Sequence, residues 1–546
     1  MEKSCGIILI SNVDKKILLV RHKEWHRWFP KWHQENNENE IEAALRELKE
    51  ETWIIPNYLV SNIQFSEEYL TNRGLKKVIY FIWYVNRKEV KLEYNELDDF
   101  KRNSFNQIKD NKKFLSVSIL GELEKILKKE VILKYNKTKK YQLLLPYKIQ
   151  WSKHAYSRVV ALRYLTWNIK LTNIPNILDV WILDEIHAIS NLSWETITIP
   201  KELSDRSRSI IPLLPGLLYK HNEIILNFPK WCSIGARKID LYLDILEKFW
   251  NKVIYDGNNI VLKKWNNYVW NYDFYFPSFS WTSIAITLAS SIESKTTLNN
   301  ISIEPEILFQ IETLKKCGVT INFLAERSIE IQWIDFSKMK NQLLIKIPED
   351  RNVLITKLIL AIITNTEFYY KSDYDLHLSS LLLELEKMWI NYVYDKYSIK
   401  INRIHKQLKP INILANFYPG ICSDWQPFIA LVLILISWRS IIKDSVFENR
   451  YKYIKEISKI IPKFSYDILW NSLEIIWLVE NKKCDLKNEI MCLDLRSGAV
   501  NTIWCFLSPI DEIKIKNIYQ INRWYENIVW DISDVLWINN FRYEYE

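Results

Sequence analysis

Three glutamates in Pro30–Ile54, PKWHQENNENEIEAALRELKEETWI, are spaced to act together. Glu47, Glu50 and Glu51 stand at i, i+3 and i+4, so on a helix their carboxylates share one face. Converging carboxylates are hard oxygen ligands that hold Mg²⁺ against a pyrophosphate, where the metal polarises phosphorus and activates water. Arg46 is placed to orient one of them through paired hydrogen bonds. A glutamate-rich helix is ordinarily only a solvated face, so spacing alone does not decide. A second candidate lies in NFPKWCSIGARKIDLYLDILEKFW, 227–250. Cys232 sits there in a turn-like segment near Lys230 and Arg237, cations that favour a thiolate. A single cysteine is more often a small buried hydrophobe.

The elements that must position these groups are legible in outline. Residues 4–21 carry apolar runs around the turn-like NVDKK and predict a β-hairpin. The helix IEAALRELKEE, the strand VIYFIWYV and the helix GELEKILKKE follow, making residues 1–130 one compact α+β domain. A basic linker is expected over 131–143. From 144 onward short apolar strands alternate with helices of about a dozen residues, an α/β pattern. Several helices end alike, in LEKFWNKV, ETLKKCGVTI, LEKMWINYV and DVLWINN, which predicts an internal repeat of helix, turn and strand. The turn holds Gly318 in the second, but Trp250, Trp389 and Trp537 in the others. Such a C′ position favours left-handed backbone, which glycine adopts cheaply and tryptophan does not.

Composition sharpens that oddity. Average usage of roughly 7% glycine would give about 38 here; the 546 residues hold 9, against 24 tryptophans. The chain is otherwise 48% hydrophobic and 25% charged, the balance of a soluble globular protein. A net charge of +9 spread along the chain fits anionic substrates and is weak support for nucleic acid, so no nucleic-acid partner is expected. Seven scattered cysteines without a CxxC pair suggest neither a disulfide framework nor a zinc site and point to a cytoplasmic protein. The first residues lack a signal-peptide layout. The longest apolar run, FIALVLILIS from Phe428, is too short to span a bilayer, so a buried helix and no membrane insertion are expected.

The first glutamate stretch resembles the Nudix box. Glu38, Arg46, Glu47, Leu48, Glu50, Glu51 and Ile54 all fall in its register, and Trp32 and Trp53 stand at its two glycine places. Upstream, HRWFPKWH resembles the family's GFPKGH, a version similar to that of dinucleoside polyphosphate hydrolases, with Trp28 and Trp32 again in glycine places. The resemblance implies an α/β/α sandwich, Mg²⁺ on Glu47, Glu50 and Glu51, and a nucleoside polyphosphate substrate.

The remainder resembles UDP-N-acetylglucosamine enolpyruvyl transferases over about 144–540. NFPKWCSIGARKIDL is similar to the family's cysteine-bearing lid, PGGC-x-IG-x-RPVDL. In order along the chain, IQWSKHA, LTNIPNILDV, RSRSIIPLLPGLL, FPSFSWTS, IEPEI, FYPGICSDWQ, SVFENRYKYI, DLRSGA and YQINRWYEN resemble further family pieces. The implied fold is α/β: two lobes of inside-out α/β barrel repeats, lobe I with its catalytic lid over 144–347 and lobe II over 348–546. The implied reaction moves enolpyruvate from phosphoenolpyruvate to the 3-hydroxyl of UDP-N-acetylglucosamine, with no cofactor. Lys153 then grips the phosphate, and Arg208, Arg237 and Arg496 clamp phosphate and carboxylate. Asp424 takes the hydroxyl proton. Cys232 protonates the enol methylene or assists product release, and is where fosfomycin would attack. Arg237, Asp240, Ser278, Glu448 and Arg450 line the nucleotide-sugar cleft.

The departures matter. His154 stands where the family has Asn that positions the adduct, Lys230 replaces a lid glycine, and Lys238 replaces a proline. Between Asp179 and Arg208 the chain looks shorter than usual. Tryptophan occupies family glycine places at Trp32, Trp53, Trp151, Trp167, Trp231, Trp250, Trp281, Trp389, Trp438, Trp524 and Trp537, while Trp425 stands at a methionine place. One codon read as tryptophan where the cell reads glycine, as with a reassigned UGA, produces that pattern at once. If the tryptophans are genuine, the expectation changes to a catalytically dead scaffold that binds nucleotides. A third reading is 5-enolpyruvylshikimate-3-phosphate synthase, which shares the fold; Cys232 and the FENR and DLRSG pieces argue against it.

Overall fold

The computed structural model describes strands 2–11, 17–22, 58–71, 74–85, 97–103 and 130–134 with a few short pieces among them. From 149 it describes most residues to 528, apart from 192–194, 228–239, 250, 258, 265–269, 437, 449, 462–463, 478–486, 511 and 527, and then 542–544. The chain divides into two compact units, 1–128 with 181–207, and 129–180 with 208–546.

The first unit carries a seven-stranded sheet of β1 (Glu2–Ser11), β2 (Ile17–His22), β3 (Arg27–Trp28), β4 (Lys31–His33), β5 (Tyr58–Thr71), β6 (Gly74–Val85) and β7 (Leu97–Asn103). The expected hairpin is present as the antiparallel pair β1–β2, with Ile10 opposite Ile17. β6 runs parallel to β1, placing Ile7 beside Phe81 and Ile8 beside Ile82. Cys5, Ile7 and Ile8 on β1 and Val78 and Ile79 on β6 are buried, as apolar strands beside one another must be. Ala43 and Ala44 are buried helical residues, and Arg46 is helical. Glu47, Glu50, Glu51 and Trp53 lie outside the described residues.

The second unit repeats one pattern. Strand Asn271–Asp273, helix Phe279–Ser291, strand Lys295–Asn299, helix Pro305–Lys316 and the hairpin Thr320–Ala325 with Ser328–Gln332 form one βαβαββ module. Strand Asn412–Ala415, helix Gln426–Ile434, strand Arg439–Asp444, helix Tyr453–Ile460 and the hairpin Phe464–Leu469 with Ser472–Trp477 form another. In both, the first two strands are parallel, and the second pairs antiparallel with the last. A third sheet of the same order uses Glu489–Met491, Glu512–Lys516, Glu130–Lys134 and Arg542–Glu544. Glu130–Lys134 fills the inner hairpin position, Val131 opposite Ile515 and Leu133 opposite Ile513. The basic stretch expected to be a linker from 131 is therefore a strand as far as Lys134, because its VIL run pairs on both sides, with Glu512–Lys516 and Arg542–Glu544. The apolar run from Phe428 is helical as far as Ile434, in the helix Gln426–Ile434, every residue of which is buried. Among the described residues no helix is long and apolar enough to cross a membrane.

The shared helix endings explain why glycine is wanted. Gly318 has φ +100, its N–H donates to the Lys315 carbonyl and that of Val319 to Leu314. Trp389 has φ +68, its N–H donates to Glu386 and that of Ile390 to Leu385. These are the same left-handed helix cap, once with glycine and once with tryptophan. Trp438 has φ +114 and is 73% exposed, and Trp470, in the hairpin turn before Asn471, has φ +50 and is 97% exposed. Left-handed backbone in a bulky residue is a genuine outlier; among the described residues it falls on Trp389, Trp438 and Trp470, beside His377 and four asparagines.

Candidate functional site

The site begins at the helix Lys153–Val159. Ser152 caps it by accepting from the Ala155 N–H at 3.2 Å, and the Lys153 N–H donates to Asp350 Oδ2 at 3.2 Å. Asp350 in turn caps the helix Arg351–Thr364 by accepting from Asn352 and Val353. Two helix starts are thereby tied together, and Lys153 projects from the junction. Its Nζ lies 2.5 Å from Asp179 Oδ2, in the first turn of the helix Leu178–Ser190. Asp179 also accepts from Arg523 Nε at 2.9 Å and from Ser209 Oγ at 3.2 Å. Burial lowers Lys153 to about 8 even against the pull of Asp179. Burial opposes ionisation of Asp179 as well, but Arg523 and Lys153 overcome it and hold the carboxyl below its ordinary range.

Arg496 stands at the start of the helix Leu495–Leu507, where Asp494 and Ser497 form a reciprocal capping box. Its Nη2 donates to Asp424 Oδ2 at 2.9 Å and its Nη1 to the Tyr525 hydroxyl at 3.3 Å. Arg450 donates to the other Asp424 oxygen. Burial works against the Asp424 carboxylate, yet Arg496 and Arg450 hold it well below the usual range, so it is ionised at neutral pH. His154 packs its ring 5.0 Å from Phe279 and 4.5 Å from Trp524, and burial keeps it neutral. A neutral imidazole can both donate and accept a hydrogen bond, as the expected asparagine would.

Lys153, His154, Asp424, Arg450 and Arg496 are thus brought into one cluster, the three cations buried and His154 and Asp424 half-buried. Arg208 opens a 3₁₀ turn and lies over the Tyr242 ring at 6.0 Å. Ser278 precedes the helix Phe279–Ser291. Glu448 is exposed, in the turn that buries Arg450. Asp240 opens the helix Asp240–Lys248, with its side chain outside the description. Cys232, Arg237 and Trp231 lie outside the described residues. Sequence reasoning missed Asp179 as the partner of the lysine and Arg523 as the second cation on Asp179, although both lie in stretches it had singled out. It also missed Arg351, whose Nε donates to Glu306 at 2.9 Å and Nη2 to Glu304 at 3.1 Å. Ion-pair partners so far apart in sequence leave no local signal. Trp281 is helical, fully buried, and 5.4 Å from the Phe274 ring.

Comparison with known proteins agrees with this geometry. Residues 2–120 match the NUDIX domain family, and residues 207–532 match EPSP synthase (3-phosphoshikimate 1-carboxyvinyltransferase). A UDP-N-acetylglucosamine 1-carboxyvinyltransferase of Campylobacter jejuni is 28% identical over 409 residues, covering 71% of this chain and 94% of the relative. Another, of Kosmotoga olearia, is 28% identical over 333 residues, covering 60% and 76%. Among solved structures, the enolpyruvyl transferase NikO of Streptomyces tendae superposes with a TM-score of 0.66 at 16% identity, over 77% of this chain and all of that one. EPSP synthase of Acinetobacter baumannii superposes with a TM-score of 0.55 at 11% identity, over 76% of this chain and all of that one. At such identities the likeness shows the fold. The chain belongs to the EPSP synthase family of carboxyvinyl transferases and carries a NUDIX domain at its N-terminal end.

Proposed function

We propose that the chain transfers the enolpyruvyl group of phosphoenolpyruvate to the 3-hydroxyl of UDP-N-acetylglucosamine, the entry to peptidoglycan precursor synthesis. The observation that carries the reading is the cluster of buried Lys153 and Arg496 with ionised Asp424 in a chain whose relatives are named for that reaction. Asp424 takes the hydroxyl proton as the sugar oxygen bonds to C2 of phosphoenolpyruvate. A proton, from Cys232, adds to the C3 methylene and gives a tetrahedral adduct. Loss of a C3 proton and cleavage of the C2–O bond then release phosphate and leave the enol ether. Lys153 and Arg496 hold the phosphate and carboxylate, with Arg208 and Arg237 completing the clamp; the rigid charge of guanidinium suits it to that task. Asp240, Ser278, Glu448 and Arg450 flank the nucleotide sugar.

The N-terminal domain is proposed to hydrolyse a nucleoside polyphosphate with Mg²⁺ held by Glu47, Glu50 and Glu51. Both activities belong to the cytoplasm. Phosphate release from phosphoenolpyruvate tests the transfer, with UDP-N-acetylglucosamine and shikimate 3-phosphate compared as acceptors on the chain carrying glycine at the family glycine places. Release with the first alone is expected. Release with shikimate 3-phosphate alone assigns the sister reaction, and nucleotide-sugar binding without release assigns the scaffold.

A further inference from the structure

Between Lys153 and Arg496 lies the side chain of Trp524. The Arg496 guanidinium is 3.7 Å from the ring centroid and the Lys153 ammonium 4.5 Å, while the His154 ring meets it edge-on at 4.5 Å. The tryptophan is 2% exposed, and its indole nitrogen is buried without a hydrogen-bond partner. Each cation has its carboxylate on another side: Asp179 for Lys153 and Asp424 for Arg496. Their remaining faces converge on an aromatic ring, which cations accept as a weak substitute for an anion.

We propose that Trp524 closes the anion site of the transferase, and that glycine at 524 opens it to a ligand bearing phosphate and carboxylate. The inference rests on the reading of Lys153 and Arg496 as the phosphoenolpyruvate clamp. The backbone around 524 is held without the ring. The Trp524 carbonyl accepts from Gln150 Nε2 at 2.6 Å, the Glu526 N–H donates to Gln150 Oε1 at 3.0 Å, and the Tyr525 hydroxyl is bonded to Thr356 at 2.9 Å. Removing the indole therefore leaves a space walled by an ammonium and a guanidinium, with Arg523 beyond Asp179 adding positive potential. Trp524 is not among the residues with left-handed φ. What blocks the site is ring volume rather than backbone conformation, so alanine should open it as well as glycine does. That separates position 524 from positions 389 and 438, where left-handed backbone itself asks for glycine.

The test is calorimetric titration of the full chain with inorganic phosphate and with phosphoenolpyruvate, acceptor omitted. The chain as written is compared with Trp524→Gly, Trp524→Ala and Trp524→Phe, each checked for a cooperative melt. Gly and Ala variants should bind both anions about a hundredfold or more tighter than the written chain, the gain expected from two charge-assisted contacts. Phe should bind as poorly as Trp, and Arg496→Gln added to Trp524→Gly should abolish the gain. Phosphate binding as tight in the written chain as in Trp524→Gly overturns the proposal, and so does a folded Gly or Ala variant that binds neither anion. Binding without transfer to UDP-N-acetylglucosamine, in the chain carrying glycine at all the family glycine places, would instead refute the proposed reaction and leave the closed anion site standing.

Discussion

Asp424 accepts from two buried guanidiniums, which keep it ionised, the state the proposed reaction needs of a base. In the chain carrying glycine at the family glycine places, Asp424→Asn should cut phosphate release by about 10²–10⁴, the usual worth of a positioned base. It should also lower the melting temperature, because Arg450 and Arg496 then face a neutral amide. An unchanged rate would remove Asp424 from the chemistry. Lys153 makes the opposite prediction along the pH axis. With its proton lost near pH 8 rather than 10.5, anion capture should be level below about 8 and weaken above it by about tenfold per unit. A level profile to pH 10 would contradict the assignment. Between those two values the unfolded chain holds the extra proton, so the contribution of this group to stability rises with pH across that window. Lys153, Asp424 and Arg496 could be singled out because each sits in a motif of several residues, and the structure brings them together. Asp179 and Arg523 could not, since a charge partner 344 residues away is visible only once the chain has folded.

At the scale of elements, the helix endings were the most legible feature. The amphipathic helix, turn and strand recur, and the structure places Gly318 and Trp389 in one and the same cap. Left-handed backbone costs an L residue roughly 1–2 kcal/mol. Trp438→Gly should therefore stabilise the chain by about 1 kcal/mol while Trp438→Ala should not, which the denaturation midpoint would report. Trp389→Gly should gain less, since Trp389 also stacks on Lys409 at 3.8 Å. Equal effects of glycine and alanine at 438 would argue against backbone strain there. The strand Glu130–Lys134 was illegible as a strand because its partner strands lie near the other end of the sequence. A short VIL run among lysines looks like a linker until partner strands are available to receive it.

For the whole molecule, two family matches on one chain predict two separable activities. Replacing Glu47, Glu50 and Glu51 by glutamine should abolish metal-dependent hydrolysis of nucleoside polyphosphates and leave phosphate release from phosphoenolpyruvate unchanged, with both assays run on the same preparation. Loss of both would show that the domains act as one. The transferase account depends on one claim above the others: glycine occupies position 524 and its sister positions in the working protein. As written, the ring closes the anion site and several turns are strained. The most direct measurement is fragmentation mass spectrometry of the protein isolated from its own cells, on the tryptic peptides that follow Lys230 and Arg523. The account predicts glycine at 231, 524 and 537. Tryptophan at 524 would contradict it, leaving a folded chain of this family whose phosphate clamp is shut.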